Sequence, residues 1–133
     1  MLASGLREEV APGELLAKFV LSDRHFSRAP QRVKAAAFIP PPGKGSSVFR
    51  VSELLAEDVR GIGETVAAAR QPPRTLYGHA QIEAASVFAT GLSVVAGEPP
   101  PRHGDILGWP EEKDLQLELA HSLADATELV LYR

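Results

Sequence analysis

The chain has 133 residues, of which 44% are hydrophobic and 23% charged, and its formal net charge is -3 at pH 7. These are ordinary proportions for one globular domain, and they exclude a chain too polar to bury a core. The absence of cysteine excludes disulfides, thiolate zinc sites, iron–sulfur ligation and cysteine nucleophiles.

The opening residues, MLASGLREEVAPGELL, put acids where a signal peptide needs a basic start and an apolar run. No stretch approaches the roughly 18 apolar residues that span a bilayer. The expectation is a cytoplasmic protein with no membrane contact, in a reducing compartment. The Ala/Arg/Pro-rich composition suggests a bacterial source. Residues 1–14 have little periodicity and are expected to form a loose N-terminal arm, with residues 15–133 as a single domain.

Leu15 to Ser22 (LLAKFVLS) reads as a strand, although so short an apolar run could also begin a helix. Asp23 to Gln31 is polar, contains Pro30 and reads as a loop. Val33 to Ile39 (VKAAAFI) reads as a second strand, which Pro40-Pro41-Pro42-Gly43-Lys44-Gly45 cannot continue. Ser47 to Val51 reads as a third, and the three suggest an antiparallel meander. Ser52 is a reasonable N-cap for a helix over residues 53–70, with Leu55, Val59, Ile62, Val66 and Ala69 at helical spacing. Gly61 and Gly63 weaken that helix or let another element approach it closely.

Thr75 to Ile82 reads as a strand, Glu83 to Thr90 as a short helix closed by Gly91, and Leu92 to Ala96 as another strand. Gly97 to Gly108, with Pro99-Pro100-Pro101, reads as a rigid loop. A helix is expected to start at Pro110 and bury Leu115, Leu119, Ala120, Leu123 and Ala126, followed by a strand from Glu128 to Tyr132. The fold class that follows is α+β: a small mixed, largely antiparallel sheet with two main helices packed on one face.

Charge is unevenly distributed. Residues 18–50 hold Lys18, Arg24, Arg28, Arg32, Lys34, Lys44 and Arg50 against one acid, Asp23, whereas residues 52–133 hold 13 acids and 6 bases. Such a split suits a face that meets an anion, and equally suits internal pairing of the two halves. Arg24, His25, Arg28, Arg32 and Lys34 crowd one segment around Phe26, a mixture of cations and an aromatic that nucleic-acid surfaces use.

The stretch from Pro99 to Pro110 holds the most chemistry. Arg102 offers a planar fork for phosphate or carboxylate, His103 can move a proton near neutral pH, Asp105 could orient that imidazole, and Trp109 could stack a base. The alternative is a structural crossover in which Trp109 is core and Asp105 pairs Arg102. Gly43-Lys44-Gly45-Ser46-Ser47 lacks the upstream glycine of a phosphate loop and reads as a hairpin turn. Ser46, Ser47 and Ser52 have no base nearby in sequence, and the four histidines have no metal-ligand spacing, so neither a metal nor a cofactor is expected.

Tyr77-Gly78-His79, the short helix, Gly91-Leu92, Arg102-His103 and Glu128-Leu129-Val130-Leu131-Tyr132 together resemble the C-terminal half of RNA 2′-phosphotransferases and related ADP-ribosyltransferases. That resemblance implies an NAD pocket. It covers less than half the chain, Ala80-Gln81 stands where the family has Gly-Thr, and the loop before Arg102 is longer than the family's. VKAAAF, SVFR, PPPRH and GWP look like an uncharacterised group of short bacterial proteins, a likeness that implies no activity.

Two functions follow as expectations. The first is a binding or accessory subunit that recognises nucleic acid or an acidic protein within a larger complex, in a bacterial defence or mobile-element system. Its binding residues would be Arg24, His25, Arg28, Arg32, Lys34, Arg102 and Trp109. The second is a small metal-independent enzyme acting on a nucleotide or RNA phosphate. There His103 would be general acid/base, Arg102 the anion clamp, and His79 or His25 the second proton carrier. Homo-oligomer formation is left open.

Overall fold

The computed structural model describes residues 1–133. Leu15–Val20 forms β1, Phe26–Arg28 β2, Gln31–Val33 β3, Ser46–Arg50 β4, Gly78–Glu83 β5, Ser93–Ala96 β6, His103–Leu107 β7 and Glu128–Leu131 β8. The helices are α1 (Ala56–Ala69), α2 (Ala84–Phe88) and α3 (Lys113–Asp125). Six strands make one sheet in the order β6-β7-β4-β1-β5-β8, every neighbour antiparallel, and β2 and β3 form a separate small hairpin. The protein is therefore α+β, and no helix is long and apolar enough to cross a membrane.

The two main helices do not share a face. Leu16 and Val20 of β1, Val48 of β4 and Ile82 of β5 pack with Ala120, Leu123 and Ala124 of α3 and Val87 of α2. Ala17 and Phe19 of β1 and Phe49 of β4 pack on the opposite side with Val59 of α1. The cause lies in β1, whose LLAKFV run is apolar in both registers apart from Lys18. A strand apolar on both sides needs cover on both, so the sheet is sandwiched between α1 and α3.

The expected second strand is not in the sheet. Extended pairing stops at Val33, and Ala35–Ala37 forms a 3-10 turn that packs on α3. Val33, Ala35 and Ala37 are all buried, a spacing of two that imitates a strand while coming from a turn. The segment expected as a loop, Asp23 to Gln31, contains a 3-10 turn at Asp23–His25 and most of the β2–β3 hairpin. β7 lies within the expected rigid loop and is paired on both sides. Helix α3 starts at Lys113 rather than Pro110, and its buried face is Ala120, Leu123 and Ala124, leaving Leu115 and Ala126 exposed.

Helix α1 begins after Leu55, whose amide donates to Asp58 Oδ2 at 3.3 Å. Ser52 does not cap it; its Oγ accepts from the Leu15 amide at 2.8 Å. The two glycines of α1 differ in kind. A Cβ at Gly63 would lie 2.7 Å from the Phe19 ring, whereas one at Gly61 would meet nothing within 4 Å. Gly63 lets the helix lie close on the sheet, and Gly61 only lowers helix propensity.

Residues 1–14 are fastened rather than loose. Val10 is in the core, Glu9 bridges to Val95 of β6, and the Ser4 amide donates to Glu98 Oε1 at 3.1 Å. The fastening centre is Arg50, only 2% exposed. Its Nε and Nη2 donate to the two Glu14 carboxylate oxygens at 2.8 and 2.9 Å, and its Nη1 donates to the Arg7 carbonyl at 2.6 Å. Burial pushes the Glu14 carboxyl up. The hydrogen bonds from Arg50 and the Ala11 amide, with the attraction of the guanidinium, outweigh it and hold the group below its ordinary 4.5.

Two outcomes are expected. Gly61→Ala should stabilise the fold by about 1 kcal/mol, while Gly63→Ala should destabilise it, both read by thermal unfolding. Glu14→Ala strands a buried guanidinium and should cost about 3–5 kcal/mol in urea unfolding at pH 7. The Glu14 contribution is complete above the unfolded-chain value and disappears as pH falls through the lower folded one. Glu14→Gln should therefore remove that part of the acid dependence.

Candidate functional site

Strands β1 and β4 pair only at Leu16↔Arg50 and Ala17↔Phe49. Beyond that point Lys18 occupies the gap between them. Its ammonium donates to Ser46 Oγ at 3.1 Å and to the Ser47 carbonyl at 2.9 Å, supplying partners for groups that strand pairing leaves free. A cleft of about 390 Å³ opens over this split. Its walls include Lys18, Ser22 and His25 from β1 and the following turn, Lys44 from the turn before β4, Ser47 of β4, Arg70 and Arg74 after α1, and Asp105 from β7. Asp105 is the only acid in the lining.

Burial and neighbouring like charge disfavour the charged forms of Lys18 and His25 in the cleft. Burial lowers the Lys18 pKa from 10.5 to about 8; the nearby Arg70 adds to the drop and Asp105 opposes it. His25 is also held below 6.5, by burial first and then by Lys18 and Arg74. An anion in the cleft would relieve the repulsion that acts on Lys18 and His25.

The face of β4 and β7 beside the cleft carries a second arrangement. Register pairs Ser47 with Asp105 and Phe49 with His103. Ser47 Oγ lies 2.7 Å from His103 Nε2, and His103 Nδ1 lies 2.9 Å from the Gly97 carbonyl oxygen. A carbonyl can only accept, so Nδ1 carries a hydrogen, and in the neutral imidazole Nε2 offers its lone pair to the serine hydroxyl. Asp105 Oδ1 is 3.9 Å from the same Nε2. The Phe49 ring stands at 73° to the imidazole with centroids 5.3 Å apart. Gly97 is required here, because a Cβ would lie 2.8 Å from His103 Nδ1.

The residues singled out by sequence divide. His103 and His25 belong to this region. Arg102 does not: its Nη1 donates to the Arg50 carbonyl at 3.1 Å, and its side chain lines a different cleft beside α1. It is not paired with Asp105. Arg24, Arg28, Arg32 and Lys34 are exposed around the β2–β3 hairpin, none paired with a carboxylate and none lining the basic cleft. Phe26 cannot stack a base, being buried against Tyr77, and the Arg28 guanidinium lies 5.1 Å from its ring centre. Trp109 is half-buried, donates Nε1 to the Ile106 carbonyl at 2.8 Å, and lines a neighbouring groove walled by Pro40, Pro41 and Pro42. That groove and the basic cleft share Ile39, Pro41 and Lys44.

His79 cannot be the second proton carrier for His103. The rings His103, Phe49, Phe19, His79 and Tyr132 run in that order across the sheet, so two phenylalanines separate the histidines. His79 is 5% exposed, burial pushes its pKa down, and its Nδ1 is hydrogen-bonded to the Tyr132 hydroxyl. His79 and His103, two of the residues that carry the transferase resemblance, thus lie on opposite sides of Phe19 and Phe49.

Sequence reasoning missed Lys18, Ser47, Arg70 and Arg74. Only Lys18 left a local signal: a lone cation on the apolar strand LLAKFVLS, on the same face as Leu16 and Val20. Ser47 and His103 are 56 residues apart. Comparison with family models, with curated proteins and with solved structures returned no match.

The Lys18 environment has a measurable consequence. Folded chain releases this proton near pH 8 and unfolded chain near 10.5, so between those values the unfolded state holds more protons. Stability contributed by Lys18 must then rise with pH across that window. The unfolding free energy of the protein relative to Lys18→Met should increase from pH 8 to 10.5; a flat difference would show that Lys18 keeps its ordinary pKa.

Proposed function

We propose that this chain is a recognition module for a phosphate-bearing ligand, and that the ligand is a nucleic-acid strand. One observation carries the reading: Lys18, Lys44, Arg70 and Arg74 reach one concave site from three separate parts of the chain, with a single carboxylate among them. Lys44, Arg70 and Arg74 stand exposed around Lys18, whose burial disfavours its charge, and a counter-charge bound among them would offset that cost.

The unpaired cations of Arg24, Arg28, Arg32 and Lys34 favour a polymer over a small anion. His25 lines the cleft, and the Lys34 amide donates to the His25 carbonyl at 2.8 Å. The hairpin thus adjoins the cleft, and successive phosphates of one strand would engage both. The Trp109 groove, reached across the Pro41–Lys44 turn, offers an aromatic side chain beside the same path. The setting that fits is a bacterial accessory subunit working within a larger nucleic-acid complex.

Phosphate contacts release counterions, so affinity must fall steeply as salt rises. Fluorescence anisotropy of labelled single-stranded RNA and DNA at two salt concentrations tests this. Arg70→Ala with Arg74→Ala should weaken binding about tenfold or more and flatten the salt slope by about 2. Raising pH through 8 should weaken binding further, as Lys18 loses its proton; His25 has already titrated below that window. No binding at low salt removes the proposal.

A further inference from the structure

We propose that Ser47 and His103 form a nucleophile–base pair that acts on a phosphate ester held in the basic cleft. This rests on the cleft being a phosphate site and extends it from binding to chemistry.

The geometry meets each requirement of an activated serine. The hydroxyl and Nε2 are 2.7 Å apart, within reach for proton transfer. The imidazole is held on its far side by the Gly97 carbonyl at 2.9 Å, which leaves Nε2 as the basic nitrogen. Phe49 limits ring rotation from one flank. Asp105 Oδ1, 3.9 Å from Nε2, places a carboxylate beside the imidazolium that forms when the serine proton arrives. The serine is also in the right place: Ser47 and Asp105 line the cleft together with Lys18, Arg70 and Arg74. Lys18 donates to the carbonyl of Ser47 itself, which puts an ammonium next to the attacking residue. Cations positioned there would stabilise the charge that builds on the non-bridging phosphate oxygens.

The reaction runs in two balanced steps. Ser47 Oγ forms a bond to phosphorus while its proton passes to His103 Nε2. The bond from phosphorus to the ester oxygen breaks, and the departing alkoxide takes the proton from His103, leaving a phosphoseryl chain and a free alcohol. In the second step water attacks phosphorus and gives a proton to His103. The bond to Ser47 Oγ breaks, and that oxygen recovers the proton. Water is the only co-reactant, and nothing is oxidised or reduced.

The test uses the full chain and bis(p-nitrophenyl) phosphate. The expected result is nitrophenolate release, with a mass adduct of one nitrophenyl phosphoryl group mapped to Ser47. His103→Asn keeps an N–H for the Gly97 carbonyl but has no Nε2, and should slow release roughly 100-fold or more. Ser47→Ala and Ser47→Gly should abolish adduct and release. All three variants should keep their circular dichroism spectra. Calorimetry with inorganic phosphate separates the two readings. Phosphate binding without nitrophenolate release or an adduct would overturn the Ser47–His103 pair and leave the binding site standing. Turnover that survives Ser47→Ala would also overturn the pair. Absence of phosphate binding would remove the cleft reading, and the pair with it.

Discussion

The buried guanidinium of Arg50 is the constraint on which the rest of the architecture depends. A charge cannot be taken out of water without partners, and Arg50 finds them in Glu14 and in the Arg7 carbonyl. Its backbone does as much: the amide donates to the Arg102 carbonyl at 2.8 Å, and its own carbonyl accepts from the Arg102 side chain. One residue thereby joins the N-terminal arm, the ends of β1 and β4, and the residue that leads into β7. These links help set the β4–β7 register, and that register puts Ser47 opposite Asp105 and beside His103. Arg102 looked like a ligand clamp in sequence; in the fold it serves this junction.

The site exists because the sheet is imperfect. Full pairing of β1 with β4 would have left no room for Lys18 between them and no cleft above it. The split leaves strand-end polar groups in need of partners, and a lysine that satisfies them is held in surroundings that disfavour its charge. Arg70, just after α1, adds to that cost rather than relieving it, and Arg74 acts in the same sense on His25.

Legibility from sequence varied by element for physical reasons. β1, α1 and β8 were readable because their own side chains carry the pattern that buries them. β7 was not. HGDIL holds a glycine and an aspartate, poor strand formers, between proline- and glycine-rich segments, and it is extended only because β4 and β6 pair with it on both sides. The VKAAAFI segment failed in the opposite direction, since its period of two belongs to a 3-10 turn packed on α3. Of the candidate site, His103 and His25 were singled out in the sequence. Their partners were not, because proximity in space between Ser47 and His103 leaves no trace in local spacing.

Sequence by itself determined the class of molecule: one α+β domain without cysteine chemistry, two main helices, a sheet, and cations concentrated in its first half. Those properties follow from composition and periodicity, which act within a few residues of each position. Only tertiary structure decided that the helices cover opposite faces, that the N-terminal arm is strapped down, and which cations gather. It brought Arg70 and Arg74 to Lys18 and turned Arg102 away, and it laid Ser47 against His103. Convergence of this kind is set by strand register and by the partners a buried charge must find, and both are properties of the whole chain.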